Sequence, residues 1–204
     1  MKNVIKDAMI LFAITLVAGL LLGVVYDVTK APIAAQEEKA KTEACRNVFE
    51  TAASFEAYEG FTVDAASVVL TEAGVTGVDI DEVMCAKDAS GAVVGYVLTV
   101  TGHEGYGGDI QFTMGLTNDG VLNGISLLSI AETPGLGMKA EDVVVPQFVN
   151  KQVDAFTVTK TGASDDSQID AISGATITTD AIVNGVNGGL AYFQNVLKGG
   201  SANE

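Results

Sequence analysis

Ile110-Gln111-Phe112-Thr113-Met114-Gly115-Leu116-Thr117-Asn118-Asp119-Gly120-Val121-Leu122-Asn123-Gly124-Ile125-Ser126-Leu127-Leu128-Ser129-Ile130 carries the strand–turn–strand pattern around which the chain is organised. Two apolar runs, Ile110 to Leu116 and Val121 to Ile130, flank Asn118-Asp119-Gly120. Asn, Asp and Gly tolerate positive φ, so the pattern predicts two strands joined by a hairpin turn. Upstream, Ile80 to Ala86 and Val93 to Val100 read as two more strands around the turn Asp88-Ala89-Ser90-Gly91. Gly102-His103-Glu104-Gly105-Tyr106-Gly107-Gly108 separates the second strand from the third and is too irregular for a tight turn. Downstream, Glu132-Thr133-Pro134-Gly135-Leu136-Gly137 breaks the pattern. A helix is expected near residues 140–150, a strand over residues 155–160 and a closing helix from Thr178 to Lys198. That last helix places Ile182, Val186, Leu190, Phe193 and Leu197 on one face. Its interior Gly185, Gly188 and Gly189 weaken it on propensity and point to close packing against the sheet. The expected class is therefore α+β, an antiparallel sheet flanked by helices.

The amino-terminal part has a different character. Ala8 to Tyr26 carries no charge. At about 1.5 Å per residue, a helix of that length spans a hydrocarbon core of roughly 30 Å. Lys2 and Lys6 precede it and acidic residues follow, so the positive-inside rule leaves the amino terminus in the cytoplasm and the rest outside. A cleaved signal peptide competes with this single-pass anchor; the apolar run is long for one, and Ala31, Ala34 and Ala35 make a poor cleavage site. The segment after Pro32 reads as a solvated helix with a weak stripe of Ile33, Ala40, Ala44 and Val48, while residues 54–78 show only a turn at Gly60 and the run Val68-Val69-Leu70. The expected division is an anchor over residues 1–29, a helical connecting segment over 30–78 and a folded domain over 79–204.

A net charge of −15 excludes nucleic acid as a natural partner, because phosphate backbones are bound by Lys and Arg. The lone His103 cannot build a histidine metal site. Cys45 and Cys85 permit one disulfide outside the membrane or serve as two small apolar residues, and their spacing matches no metal motif.

Three segments carry chemistry. In Asp170…Ser173-Gly174-Ala175-Thr176-Ile177-Thr178-Thr179-Asp180, small residues admit a bulky group, and the helix start that follows presents free N–H groups and a positive dipole end to an anion. Thr178 or Thr179 is expected to cap that helix; an ordinary Ser/Thr-rich cap is the alternative reading. Glu132-Thr133-Pro134-Gly135-Leu136-Gly137-Met138-Lys139 is either a helix-start loop or bare glycine backbone for a flat ring, with Leu136 and Met138 over its apolar face. In Gly105-Tyr106-Gly107-Gly108-Asp109-Ile110, Tyr106 is either a strand-edge residue or an aromatic beside a ligand. His103 and Glu104 read as surface loop residues without an acid–base role.

Taken in order, these segments resemble the FMN-binding domain family. With the anchor and total length, they resemble the RnfG family, the G subunits of the Rnf electron transport complexes, which are ion-translocating ferredoxin:NAD oxidoreductases. The C subunits of the sodium-translocating NADH:quinone reductases form a related family. The resemblance implies that Thr176 carries FMN through a phosphoester bond, with Asp170, Ser173, Gly174 and Ala175 completing the attachment motif. It implies that Glu132, Thr133, Pro134, Gly135, Leu136 and Gly137 contact the isoalloxazine, with Lys139 at the flavin's N1–C2=O edge or its phosphate, and Tyr106 and Gly107 nearby. It further implies that a magnesium-dependent flavin transferase supplies the FMN from FAD, and that the chain is one link of a membrane electron relay coupled to Na⁺ or H⁺ movement. Covalent attachment suits so acidic a chain, because FMN is itself an anion that charge alone would hold weakly. No catalytic residue and no metal ligand is expected. The alternative is a stand-alone anchored extracytoplasmic flavoprotein that feeds another reductase or acts as a sensor, and a module with no flavin is a third reading.

Overall fold

A computed structural model describes residues 2–198, and the chain divides into two compact units, one up to Ala40 and one from Lys41 onward. The first unit consists of helical residues of α1 (Lys2–Val48), which contains Pro32. This is a helix long and apolar enough to cross a membrane, and large apolar side chains such as Leu11, Phe12, Leu22 and Val24 stand exposed along it. The last residues of α1 belong to the second unit.

The second unit is built on a five-stranded antiparallel sheet in sequential order. Its strands are β1 (Ser54–Ala57), β2 (Val78–Lys87), β3 (Val93–Gly102), β4 (Ile110–Thr117) and β5 (Leu122–Ile130). The hairpin between β4 and β5 turns where the sequence predicts it: Gly120 adopts φ 84°, its N–H donates to Thr117 O at 2.9 Å, and Thr117 N–H donates to Val121 O at 3.0 Å. Between β2 and β3, Asp88 Oδ1 accepts from the N–H of Ser90 and of Ala92 and from the Ser90 hydroxyl, which holds the Asp88 carboxyl below its ordinary pKa.

Alternation along the strands gives the sheet two packed faces. On one, Tyr96, Leu98, Val100, Phe112, Met114 and Leu116 are buried with residues of α4 (Thr176–Tyr192) and α2 (Val63–Glu72). The α4 glycines let the helix come close. A Cβ at Gly185 would stand 2.9 Å from the Phe112 ring and one at Gly189 would stand 2.1 Å from Met114 Sδ, so the weak helix propensity is exchanged for contact with the sheet. On the other face, Cys45, Val48 and Phe49 pack with Ala86 and Val97. Gly115 lies directly under Val48, and the Asn123 side-chain amide donates to Val48 O at 3.1 Å. β3 is covered on both sides, consistent with its nearly unbroken apolar sequence.

The structure departs from the sequence reading at several points. Residues 54–72, expected in a connecting segment, supply β1, which pairs with β2, and α2, which packs on β2 and α4. The Thr62 hydroxyl caps α2 by accepting from Ala65 N–H at 3.3 Å. The helix expected near residues 140–150 is instead a 3-10 turn (Gly137–Lys139), one turn of α3 (Ala140–Val143) and a second 3-10 turn (Val145–Phe148), because Pro146 cannot donate to a continuing helix. The strand expected over residues 155–160 shortens to β6 (Thr157–Thr159), paired in parallel with β7 (Gln168–Asp170). The closing helix ends in a π turn over Phe193–Leu197.

Cys45 and Cys85 are not joined by a disulfide. Cys45 packs in the core under α1, beside Met84, whereas Cys85 packs toward the α2–α4 core. A disulfide needs the two Cβ atoms about 4 Å apart; side chains on opposite faces of one sheet do not meet that condition. Desolvation raises the pKa of Cys85.

Candidate functional site

α4 begins at Thr176, two residues earlier than the sequence reading has it, and so Thr178 and Thr179 lie inside its first turn rather than at its cap. The chain reaches that start through Gly174 at φ 81° and through Ala175, which occupies the cap position without a side-chain capping bond. Thr179 does a related task from inside the helix: its hydroxyl accepts from Ile172 N–H at 3.1 Å and donates to Ala175 O at 3.2 Å. The N–H groups of Thr176, Ile177 and Thr178 are the opening donors of a helix and have no partner within it. Thr176 itself is half-buried, and its hydroxyl makes no hydrogen bond among the described residues.

A cleft of about 530 Å³ opens at this helix start. Three separate segments line it: Tyr106 from the loop before β4; Glu132, Thr133, Leu136 and Gly137 from the loop after β5; and Gly174 to Thr178. Of these, Ile177 and Thr178 are not among the expected ligand contacts. Their signal is the earlier helix start, which turns them toward the cleft. Other expected site residues stand around it rather than on it. Asp170 ends β7, where its N–H and C=O bond the side chain of Gln147 at 2.7 and 3.1 Å. Ser173 is exposed beside Gly174. Pro134 and Gly135 form the tip of their loop, closed by Leu136 N–H to Thr133 O at 3.1 Å. Lys139 is exposed in the following 3-10 turn. Gly107 sits behind Tyr106 and donates its N–H to Glu132 Oε1 at 3.2 Å.

Two contacts set the shape of the cleft. At Gly137 a Cβ would lie 2.7 Å from both Glu132 Cβ and Thr178 Oγ1, so a bare backbone is what lets the β5 loop lie against the α4 start. At Gly107 a Cβ would lie 2.1 Å from Ala131 O, so the Tyr106 loop is likewise seated on the chain just before Glu132. The base of that loop is held by His103, whose two ring nitrogens face Asp109 Oδ1 at 2.9 Å and Asp79 Oδ2 at 3.0 Å. Hydrogen bonds with Asp109 and then Asp79 raise the pKa of His103. The Glu104 carboxylate accepts from the side-chain amide of Asn184 at 3.3 Å. Both residues anchor the loop and neither lines the cleft.

The rim carries Tyr106, Leu136 and Ile177, each more than one-third exposed. An apolar mouth beside three free N–H groups and an unpartnered hydroxyl fits a ligand that is flat and apolar at one end and anionic at the other. An FMN-type group meets that description, and the volume falls within the roughly 300–1,000 Å³ of small-molecule sites.

Comparison with known proteins agrees with this chemistry. Residues 105–191 match the family described as FMN-binding domain, and residues 1–48 match the RnfG N-terminal region. The G subunit of the Na(+)-translocating ferredoxin:NAD(+) oxidoreductase complex of Acetobacterium woodii is 35% identical over 200 residues, covering 97% of this chain and 95% of that protein. The G subunit of the ion-translocating oxidoreductase complex of Methanosarcina acetivorans is 31% identical over 194 residues, covering 94% and 95%. The crystal structure of Shewanella oneidensis NqrC shares the fold, with a TM-score of 0.51 and 23% identity over 61% of this chain and 62% of that one. Identity along nearly the whole chain, together with both matching segments in order, means that the chain belongs to the RnfG family, the G subunits of ion-translocating Rnf-type oxidoreductase complexes, and contains its FMN-binding domain.

Proposed function

We propose that the chain is a membrane-anchored electron carrier of an Rnf-type complex, with FMN held covalently on Thr176 in an extracytoplasmic domain. The observation that carries this reading is the placement of Thr176 at the first position of α4, with its hydroxyl unpartnered on the cleft. Attachment forms a bond from Thr176 Oγ1 to the phosphorus of the FMN half of FAD. The bond from that phosphorus to the AMP half breaks, AMP leaves, and the hydroxyl proton is lost. This step needs a separate flavin transferase, since the cleft holds no base within the described hydrogen bonds of Thr176.

Bound flavin supplies one- and two-electron transfer between partners. The chain's own residues do the rest. The first N–H groups of α4 and the helix dipole hold the phosphate. Gly137 and Gly174 keep the backbone bare where the ligand enters, while Leu136, Ile177 and Tyr106 exclude water from the ring. The coupled ion, Na⁺ or H⁺, crosses elsewhere: the apolar stretch Ala8 to Tyr26 has no charged residue, and one such helix is no conducting path. Partner subunits of the complex therefore take the ferredoxin:NAD chemistry and the pumping.

Denaturing electrophoresis of protein made alongside a flavin transferase, viewed under ultraviolet light and followed by peptide mapping, tests this. The expected result is a fluorescent band whose Thr176 peptide is heavier by one FMN less a water. A Thr176→Val variant should fold normally, because the lost hydroxyl makes no internal hydrogen bond, and should yield a dark band. A fluorescent Thr176→Val band would refute the attachment site.

A further inference from the structure

Gln147 lies in the second 3-10 turn, between the loop after β5 and β6, and belongs to none of the segments that line the cleft. Both ends of its half-buried side-chain amide are engaged, and only with backbone. Nε2 donates to Val143 O at 2.7 Å, at the end of α3. Nε2 also donates to Asp170 O at 3.1 Å, while Oε1 accepts from Asp170 N–H at 2.7 Å. Those two bonds to Asp170 are the only hydrogen bonds, among the described residues, between residues 131–148 and residues 168–179. The first segment supplies one wall of the cleft, at Glu132, Thr133, Leu136 and Gly137; the second supplies another, from Gly174 to Thr178.

Backbone direction explains the grip. β7 pairs in parallel with β6, and Ala171 N–H donates to Thr159 O at 2.8 Å. In such a ladder successive residues face opposite edges, so Asp170 turns its N–H and C=O to the edge that β6 leaves open. Gln147 occupies that edge as one residue of a further strand would. Two bonds from one planar amide fix rotation as well as distance. The other contact between the walls, Gly137 against Thr178, is close packing without direction. Resting on the flavin reading above, we propose that Gln147 is a positioning residue for the flavin: its grip on Asp170 sets the spacing and tilt of these two cleft walls, and so the seat of the isoalloxazine ring. It touches no ligand itself. Attachment and ring seat are thereby separate properties of the chain, the first local to residues 170–176 and the second dependent on Gln147.

Two variants of the full-length chain in detergent test this. Gln147→Met keeps the length of the side chain and removes all three bonds; Gln147→Glu keeps only an acceptor, for Asp170 N–H. In unloaded protein, riboflavin read by its fluorescence should bind about tenfold more weakly to Gln147→Met and several-fold more weakly to Gln147→Glu, because a displaced seat loses contacts with the ring. Both variants should still take FMN on Thr176 from a flavin transferase supplied with FAD, since residues 170–176 are unchanged. In the loaded variants the ring should be loose: quenching of flavin fluorescence by iodide should rise several-fold, and fluorescence anisotropy should fall. Phe112→Ala lowers stability from a buried position off the cleft, controls for loosening of the whole domain, and should quench like wild type. Three results each overturn this inference alone: wild-type affinity and quenching in both Gln147 variants, an equal rise in Phe112→Ala, or failure of both variants to load while wild type loads. A wild-type chain that neither binds riboflavin nor acquires FMN overturns the flavin reading and this inference with it.

Discussion

Replacing Gly107 by Ala probes the seam between the Tyr106 loop and the loop that carries Glu132. The added Cβ would lie 2.1 Å from Ala131 O, 3.0 Å from Ala131 C and 3.3 Å from Glu132 Cα. All three are backbone atoms, so no side chain can swing aside, and ordinary contact begins at 3.4 Å. The loop must retreat by more than an ångström, which breaks the 3.2 Å bond from Gly107 N–H to Glu132 Oε1. Overpacking of this kind costs about 1–3 kcal/mol, and a hydrogen bond to a charged group about 1.5–3 kcal/mol. The loop is exposed and can relax, so a loss of roughly 1–3 kcal/mol is expected, which at about 2–4 °C per kcal/mol is a visible drop in Tm. The comparison is Tyr106→Ala. Tyr106 is 72% exposed, so its removal should leave stability within about 0.5 kcal/mol while weakening flavin binding. Thermal unfolding of the full chain in detergent, paired with a free-flavin titration, reads both effects. A Gly107→Ala protein with wild-type Tm and wild-type affinity would show that the two loops do not meet as described.

Other expectations follow from particular contacts. Phe112→Ala removes a fully buried ring packed against Gly185 and should cost about 3–5 kcal/mol by denaturant midpoint; a loss under about 1 kcal/mol would mean that α4 does not cover β4. His103 has a raised pKa, so the stability it draws from Asp109 and Asp79 is whole below its unfolded value of about 6.5 and fades as pH rises through the higher folded value. The difference between wild type and His103→Gln, no more than about 1 kcal/mol for so exposed a site, should therefore be largest near pH 6 and vanish at alkaline pH; a gap that widens with pH contradicts the assignment. Unreduced protein, once denatured, should give two free thiols, and native Cys85 should react slowly with thiol reagents because burial raises its pKa; recovery of a bridged Cys45–Cys85 peptide would show that they share a face.

Legibility in the sequence follows the range of the interactions involved. The β4–β5 hairpin is readable because alternation and the Asn118-Asp119-Gly120 turn are neighbours in the chain, and the Asp88 turn likewise. β1 is not readable, because four residues with mostly exposed side chains become a strand only through the edge that β2 offers. The start of α4 differs from expectation for a similar reason. Thr178 and Thr179 look like caps in isolation, but Ile172 N–H, seven residues back from Thr179, recruits the Thr179 hydroxyl into the helix and leaves Thr176 at its first position.

Spacing and local backbone preference are enough to specify the apolar amino-terminal helix, the strands β2 to β5, the glycine-bearing loops and the small-residue stretch before Thr176. The folded arrangement adds that Tyr106, Glu132 and Thr176 surround one cleft and that Cys45 and Cys85 lie on opposite faces of one sheet. It adds, too, that Glu132 is buried and accepts from Gly107 N–H across the seam between two loops. Those facts depend on which segments distant in the chain pack together. That is settled by burial of the two sheet faces under α4 and the end of α1, a collective outcome that no local window of residues contains.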